Sequence, residues 1–193
     1  MVELAADLST PLVRVFGGRR PDGVDLDRGI VNVAAGLNRI APSAERHGVV
    51  VMLETHDDFR ASDAVARIMA RVPSRAIAVH WDVQNTVAVG EEPADSLAAI
   101  GDRLAHVHVK DARRAPGDWP RLPIGEGDVP IRAALSLLHR RGCAGYLGVE
   151  IEKKWHPEYP EPEAILPQCA AALRRYLAEI EAGGDSDHQR AES

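Results

Sequence analysis

Two histidines two residues apart, His106 and His108, lie inside the short apolar stretch LAHVHVK, which runs out into Lys110 and Asp111. In an extended segment the side-chain period is two, so both imidazoles face the same way. Three other apolar runs end in carboxylates: GVVVMLE at Glu54, AIAVHWD at Asp82, and YLGVEIE at Glu150 or Glu152. Bringing three carboxylates and an imidazole together in a desolvated place is unfavourable, because like charges repel and burial penalises each one. A divalent cation removes that penalty. Three hard oxygens and one imidazole suit Mn²⁺, Mg²⁺ or Co²⁺, and Zn²⁺ accepts the same set. Depth along the strand favours His108 as the ligand, with His106 packed one layer behind it. Glu150 and Glu152 stand in the same relation, and strand length alone does not choose between them.

These residues need a scaffold that delivers successive strand ends to one place. A fifth run, PLVRVFGG (Pro11–Gly18), precedes the others, and each of the five is nearly continuous in apolar residues, as strands buried on both faces are. Amphipathic helices are predicted between them at about Arg28–His47, Ala61–Val72, Pro93–Arg103 and Ile131–Arg141, with a last one at about Glu161–Glu181. Strands alternating with helices mean a parallel α/β fold, doubly wound or part of a (β/α)8 barrel, in which the C-terminal strand ends share one face. No GxGxxG or phosphate-binding loop follows any strand. PIGEGDVP (Pro123–Pro130) reads as a tight turn leading into a helix.

The 193 residues suit a single domain, expected over 1–182, with a polar tail from 183 to 193 expected to be disordered. A net charge of -6 argues against a nucleic-acid partner, and no apolar run is long enough for a membrane helix. Two cysteines without metal-type spacing read as reduced thiols, and the chain is expected in the cytoplasm.

At LVRVFGG, VMLETHDDF, HWDVQNT, HVHVKD, PIGEGDVP and GYLGVEIEKKWHPE, in this order, the chain resembles the sugar-phosphate isomerase/epimerase family, the xylose-isomerase-like TIM barrels. The resemblance implies an incomplete (β/α)8 TIM barrel: about five parallel strands with flanking helices, the first three βα units missing. It also implies one divalent metal held by Glu54, Asp82, His108 and Glu150, the "VE" of LGVEIE selecting Glu150. Glu54 and Glu150 would then be the catalytic acid/base pair, moving a proton at carbon beside a carbonyl. Arg114 matches the position of a substrate-binding arginine. Asn85 stands where many relatives carry a substrate-holding histidine, and an amide there can bond a hydroxyl but not take up a proton. His56 and Lys110 are further candidates at the mouth, with loop or ion-pair roles as the plainer reading of each.

The implied activity is a sugar, sugar-phosphate or polyol-ketone isomerase or epimerase of carbohydrate metabolism. A keto-inositol dehydratase would use the same ligands, and an inactive truncated barrel would bind only metal or a partner. An endonuclease-type phosphodiesterase would need more ligands and a basic groove. A homo-oligomer or a complementing N-terminal segment is the expected answer to the open sheet edge.

Overall fold

The structure, a computed structural model, describes the backbone of residues 1–191 and side chains as far as 183. The chain divides into two compact units, Met1–Val107 and His108–Ser193.

The first unit holds α1 (Val2–Asp7), β1 (Leu12–Phe16), α2 (Leu26–His47), β2 (Val50–Glu54), α3 (Ser62–Met69), β3 (Ile77–Asp82), α4 (Val83–Ala88) and α5 (Pro93–Ile100). Helix α2 begins where the Asp25 carboxylate accepts from the Arg28 N–H, and it stops at Gly48, whose φ of 64° suits a residue without Cβ. Ile30, Ala34, Leu37, Ala41 and Ala44 recur at helical spacing on its buried face. The parallel register sets Phe16 against Glu54 and Glu54 against His80, so these three side chains share one face of the sheet, with Arg14, Met52 and Ala78 a layer below. Asp82, two residues past His80, belongs to that face too. The opposite face carries Val51, Leu53, Ile77, Val79 and Trp81, all essentially fully buried. The apolar runs are therefore one greasy face alternating with one that bears the chemistry.

Strand β4 (Leu104–Val109) spans the division between the units. The sheet order is β1-β2-β3-β4 and then β7 (Leu147–Val149), five neighbouring strands of a (β/α)8 barrel in chain order. The second unit adds a two-residue-per-strand antiparallel hairpin, β5 (Asp111–Ala112) and β6 (Arg121–Leu122), then α6 (Ile131–Arg140), β7 (Leu147–Val149) and α7 (Pro162–Ala191). Ile131, Ala134, Leu135 and Leu138 form the buried stripe of α6, which packs on α7.

Some elements differ from what the sequence predicts. Helix α4 and the β5–β6 hairpin are additions, each too short to carry a hydrophobic period. Strand β7 ends at Val149, so Glu150 and Glu152 lie just beyond it. Helix α7 runs to Ala191, and of the tail expected over 183–193 the last two residues lie outside those described. Among the described residues no helix is long and apolar enough to cross a membrane.

Candidate metal centre

Glu54 closes β2 and is fully buried, with its Oε2 3.2 Å from the Arg14 guanidinium. Arg14 also lies over the Phe16 ring at 4.8 Å, and His56 packs against that ring with centroids 4.7 Å apart. Asp82 closes β3 and caps α4: its Oδ1 accepts from the Asn85 backbone N–H at 2.8 Å. The strand end thus doubles as a helix start, which fixes the carboxylate.

Thr55, which carries no signal in the sequence, ties these two ends together. Its hydroxyl accepts from the Asp82 N–H at 2.9 Å and donates to the Asp82 carbonyl at 3.3 Å. The Asn85 amide donates to the Thr55 carbonyl at 2.9 Å. Asn85 is therefore placed as a brace between β2 and β3, and the only hint is its spacing from Asp82. His106 meets His80 edge-on, ring centroids 4.9 Å apart.

In the second unit the Glu150 N–H donates to the Val109 carbonyl at 3.1 Å, which sets its side chain level with His108 and Lys110. Glu150 Oε1 lies 3.6 Å from His108 Nδ1, and Oε2 lies 2.5 Å from Lys110 Nζ. Glu152 is engaged elsewhere: its Oε2 takes two bonds from Arg121, at 2.9 and 2.7 Å. This separates the two glutamates that sequence alone leaves equivalent. Lys110 is buried against Glu150. The Arg114 N–H donates to Asp128 and its guanidinium stacks over Trp119 at 5.4 Å, in an outer loop. His56 pairs with Asp57 at 3.2 Å.

Burial works to raise the Glu150 carboxyl, but the His108 hydrogen bond and the Lys110 charge outweigh it and hold the group well below its ordinary range. A folded-state value below the unfolded one stabilises the protein above the unfolded value, and that contribution fades as pH falls through the folded value. The metal-free protein is expected to lose stability as pH drops below about 4.5, the ordinary value. Glu150→Gln should flatten the dependence of the melting midpoint on pH in that acid range.

Glu54 and Asp82 end strands of the first unit, and His108 and Glu150 lie side by side in the second. Three carboxylates with one imidazole, two of the carboxylates fully buried, fit a divalent cation.

Residues 1–176 match the family model described as xylose isomerase-like TIM barrel. The chain belongs to that family. Within this xylose isomerase-like group, it is 27% identical over 154 residues to a fructoselysine 3-epimerase of Escherichia coli O157:H7, covering 77% of this chain and 54% of that protein. It is 28% identical over 83 residues to an inosose dehydratase of Clostridium beijerinckii, covering 42% and 28%. The chain spans about half the length of the epimerase it matches. Among solved structures, the IOLI protein with a binding zinc atom superposes with a TM-score of 0.79 at 19% identity, over 93% of this chain and 67% of that one. The last likeness speaks to the fold, a partial TIM barrel.

Proposed function

We propose that residues 1–182 form the metal-binding part of a divalent-metal-dependent sugar or polyol-ketone epimerase or isomerase. The observation that carries the reading is the place of Glu54, Asp82, His108 and Glu150 at or just past strand ends in a chain that matches the xylose isomerase-like barrel over residues 1–176. These four hold the ion, with Mn²⁺, Mg²⁺ or Co²⁺ preferred by the oxygen-rich set and Zn²⁺ supported by the zinc atom of the IOLI protein. When bound, the ion supplies Lewis-acid polarisation of the substrate carbonyl.

The chain's own groups do the rest. One of Glu54 and Glu150 accepts a proton from the carbon beside the carbonyl, and the other returns a proton to the opposite face. The Thr55–Asn85 brace and the Asp82 cap keep the donors from drifting, which matters because acid–base steps are steep functions of geometry. Arg14 and Lys110 offset the charge of the two glutamates. The proposal includes the cytoplasm as location and a partner along the β1 edge, a complementing N-terminal segment or a second copy, since an exposed parallel edge presents unpaired backbone groups.

The test is proton exchange. The Mn²⁺-loaded protein in D₂O is expected to place deuterium on the carbon beside a ketose carbonyl, read by NMR. A second reading, a keto-inositol dehydratase, is favoured by the inosose dehydratase match and would show loss of water instead. Neither exchange nor dehydration across a panel of ketoses and inososes would overturn both and leave a barrel that only binds.

Metal binding has its own readout. At roughly 100 times its dissociation constant, a ligand of the folded state adds about 2.7 kcal/mol, which for a chain of this length raises the melting midpoint by roughly 5–10 °C. An unchanged midpoint with millimolar Mn²⁺, Co²⁺ and Zn²⁺ would remove the metal from the proposal.

A further inference from the structure

An ammonium group is buried beside one of the proposed metal ligands. Positions 106, 108 and 110 share parity, so β4 and its continuation send His106, His108 and Lys110 to the same side. Lys110 is 3% exposed. A buried ammonium costs several kcal/mol unless it is paired in good geometry. Glu152 lies at 3.9 Å from the Lys110 Nζ and Glu150 at 2.5 Å. Arg121 already holds Glu152 through two bonds, so the short charge-assisted contact of Lys110 goes to Glu150. The two oxygens of Glu150 are thereby made unlike: Oε2 rests on Lys110 while Oε1 faces the His108 imidazole at 3.6 Å.

We propose that Lys110 is a positioning residue of the metal centre, holding Oε2 of Glu150 so that this carboxylate meets a cation through Oε1 alone. The inference rests on the metal reading above. Carboxylates bind divalent ions through one oxygen or both. Restricting Glu150 to one keeps a coordination position for substrate, which separates an open catalytic site from a closed structural one.

The experiment uses the full chain loaded with Co²⁺, whose visible absorption weakens as oxygen ligands are added, together with a ligand count from X-ray absorption. Lys110→Met keeps the length and removes the charge. It is expected to gain one oxygen ligand and to lose visible band intensity, as Co²⁺ moves to a higher-coordinate geometry. Lys110→Arg restores a cation and is expected to hold the wild-type ligand count. A lysine that merely stabilises the fold would lower the melting midpoint of Lys110→Met and leave the Co²⁺ spectrum unchanged, and that outcome overturns the proposal. If Lys110→Met does not fold, a ligand count in Lys110→Gln equal to that of wild type overturns it as well. Failure of the wild-type chain to take up Co²⁺ overturns the metal reading itself, and this one with it.

Discussion

Glu54→Gln and Glu150→Gln are both expected to lower turnover by roughly 10²–10⁴-fold, the usual worth of a positioned acid or base, and yet to part company in the metal-free protein. Gln matches the shape of Glu but takes up no proton near neutral pH. At position 150 the amide has a forced orientation: its oxygen turns to the Lys110 ammonium, which leaves the NH₂ pointing where the carboxylate offered Oε1. A donor then faces the cation, and Mn²⁺ affinity should fall by at least about 10–100-fold, the range seen even for less direct disturbances of a metal site. The same change takes the close counter-charge from a buried ammonium, 3% exposed, while Glu152 stands farther off at 3.9 Å and is engaged by Arg121. The metal-free Glu150→Gln protein should therefore be less stable by on the order of 1–3 kcal/mol. Glu54 is different. It pairs with Arg14, whose side chain is 37% exposed and screened by water. The Arg14 guanidinium keeps its access to water when that carboxylate is neutralised, so Glu54→Gln should melt closer to wild type without metal than Glu150→Gln does, while also losing metal affinity and turnover. Calorimetric Mn²⁺ titration, thermal melts without metal, and D₂O exchange assays give the three readouts. Equal stability losses in the two variants would show that Lys110 and Arg14 are not the unequal partners described.

Strands β2, β3 and β4 are legible because one face of each is apolar: Val51 and Leu53, Val79 and Trp81, Val107 and Val109 are buried, and such runs stand out in any window. The four proposed ligands are legible because they are local events, each among the last residues of such a run. Glu150 and Glu152 are not separable on that basis. What separates them is Arg121, thirty-one residues away, whose guanidinium claims Glu152. Helix α4 leaves one signal, an acid with an amide three residues on, since Asp82 caps the Asn85 N–H. Lys110 reads from sequence as a charge at a loop mouth, because nothing local to HVKD reveals that the segment continues the histidine-bearing face of β4 and is itself buried. Charge at a strand end is visible in a sequence; which charge meets which is a long-range property and is not.

Asp111→Ala is expected to cost on the order of 3–5 kcal/mol and to lower the melting midpoint by roughly 10 °C, among the larger effects a single substitution produces. Its carboxylate is 3% exposed and accepts from four backbone N–H groups: Ala112 at 2.9 Å, Gly125 at 2.8 Å, Gly127 at 3.1 Å and Val129 at 3.2 Å. The PIGEGDVP turn thus folds around an anion supplied by the residue after Lys110, and α6 starts where that turn ends. Removing the anion leaves several donors with reduced access to water, and hydrogen bonds to a charged group are worth about 1.5–3 kcal/mol each, not additively. Asp111→Asn keeps one acceptor oxygen and should fall between. The glycines make an independent check. A Cβ on Gly127 would stand 2.1 Å from Asp111 Oδ1 and 2.6 Å from the Ala112 carbonyl, so Gly127→Ala must push the carboxylate out of its nest. If the turn exists to anchor this segment, Gly127→Ala and Asp111→Ala destabilise by similar amounts and the double variant is no worse than either, because both remove the same set of bonds. Additive losses in that cycle, measured by denaturant unfolding, would mean the two residues serve separate ends. Because Asp111 directly follows Lys110 in the chain, the same variants should also disturb the hold on Glu150, and their Co²⁺ spectra should move toward that expected for Lys110→Met.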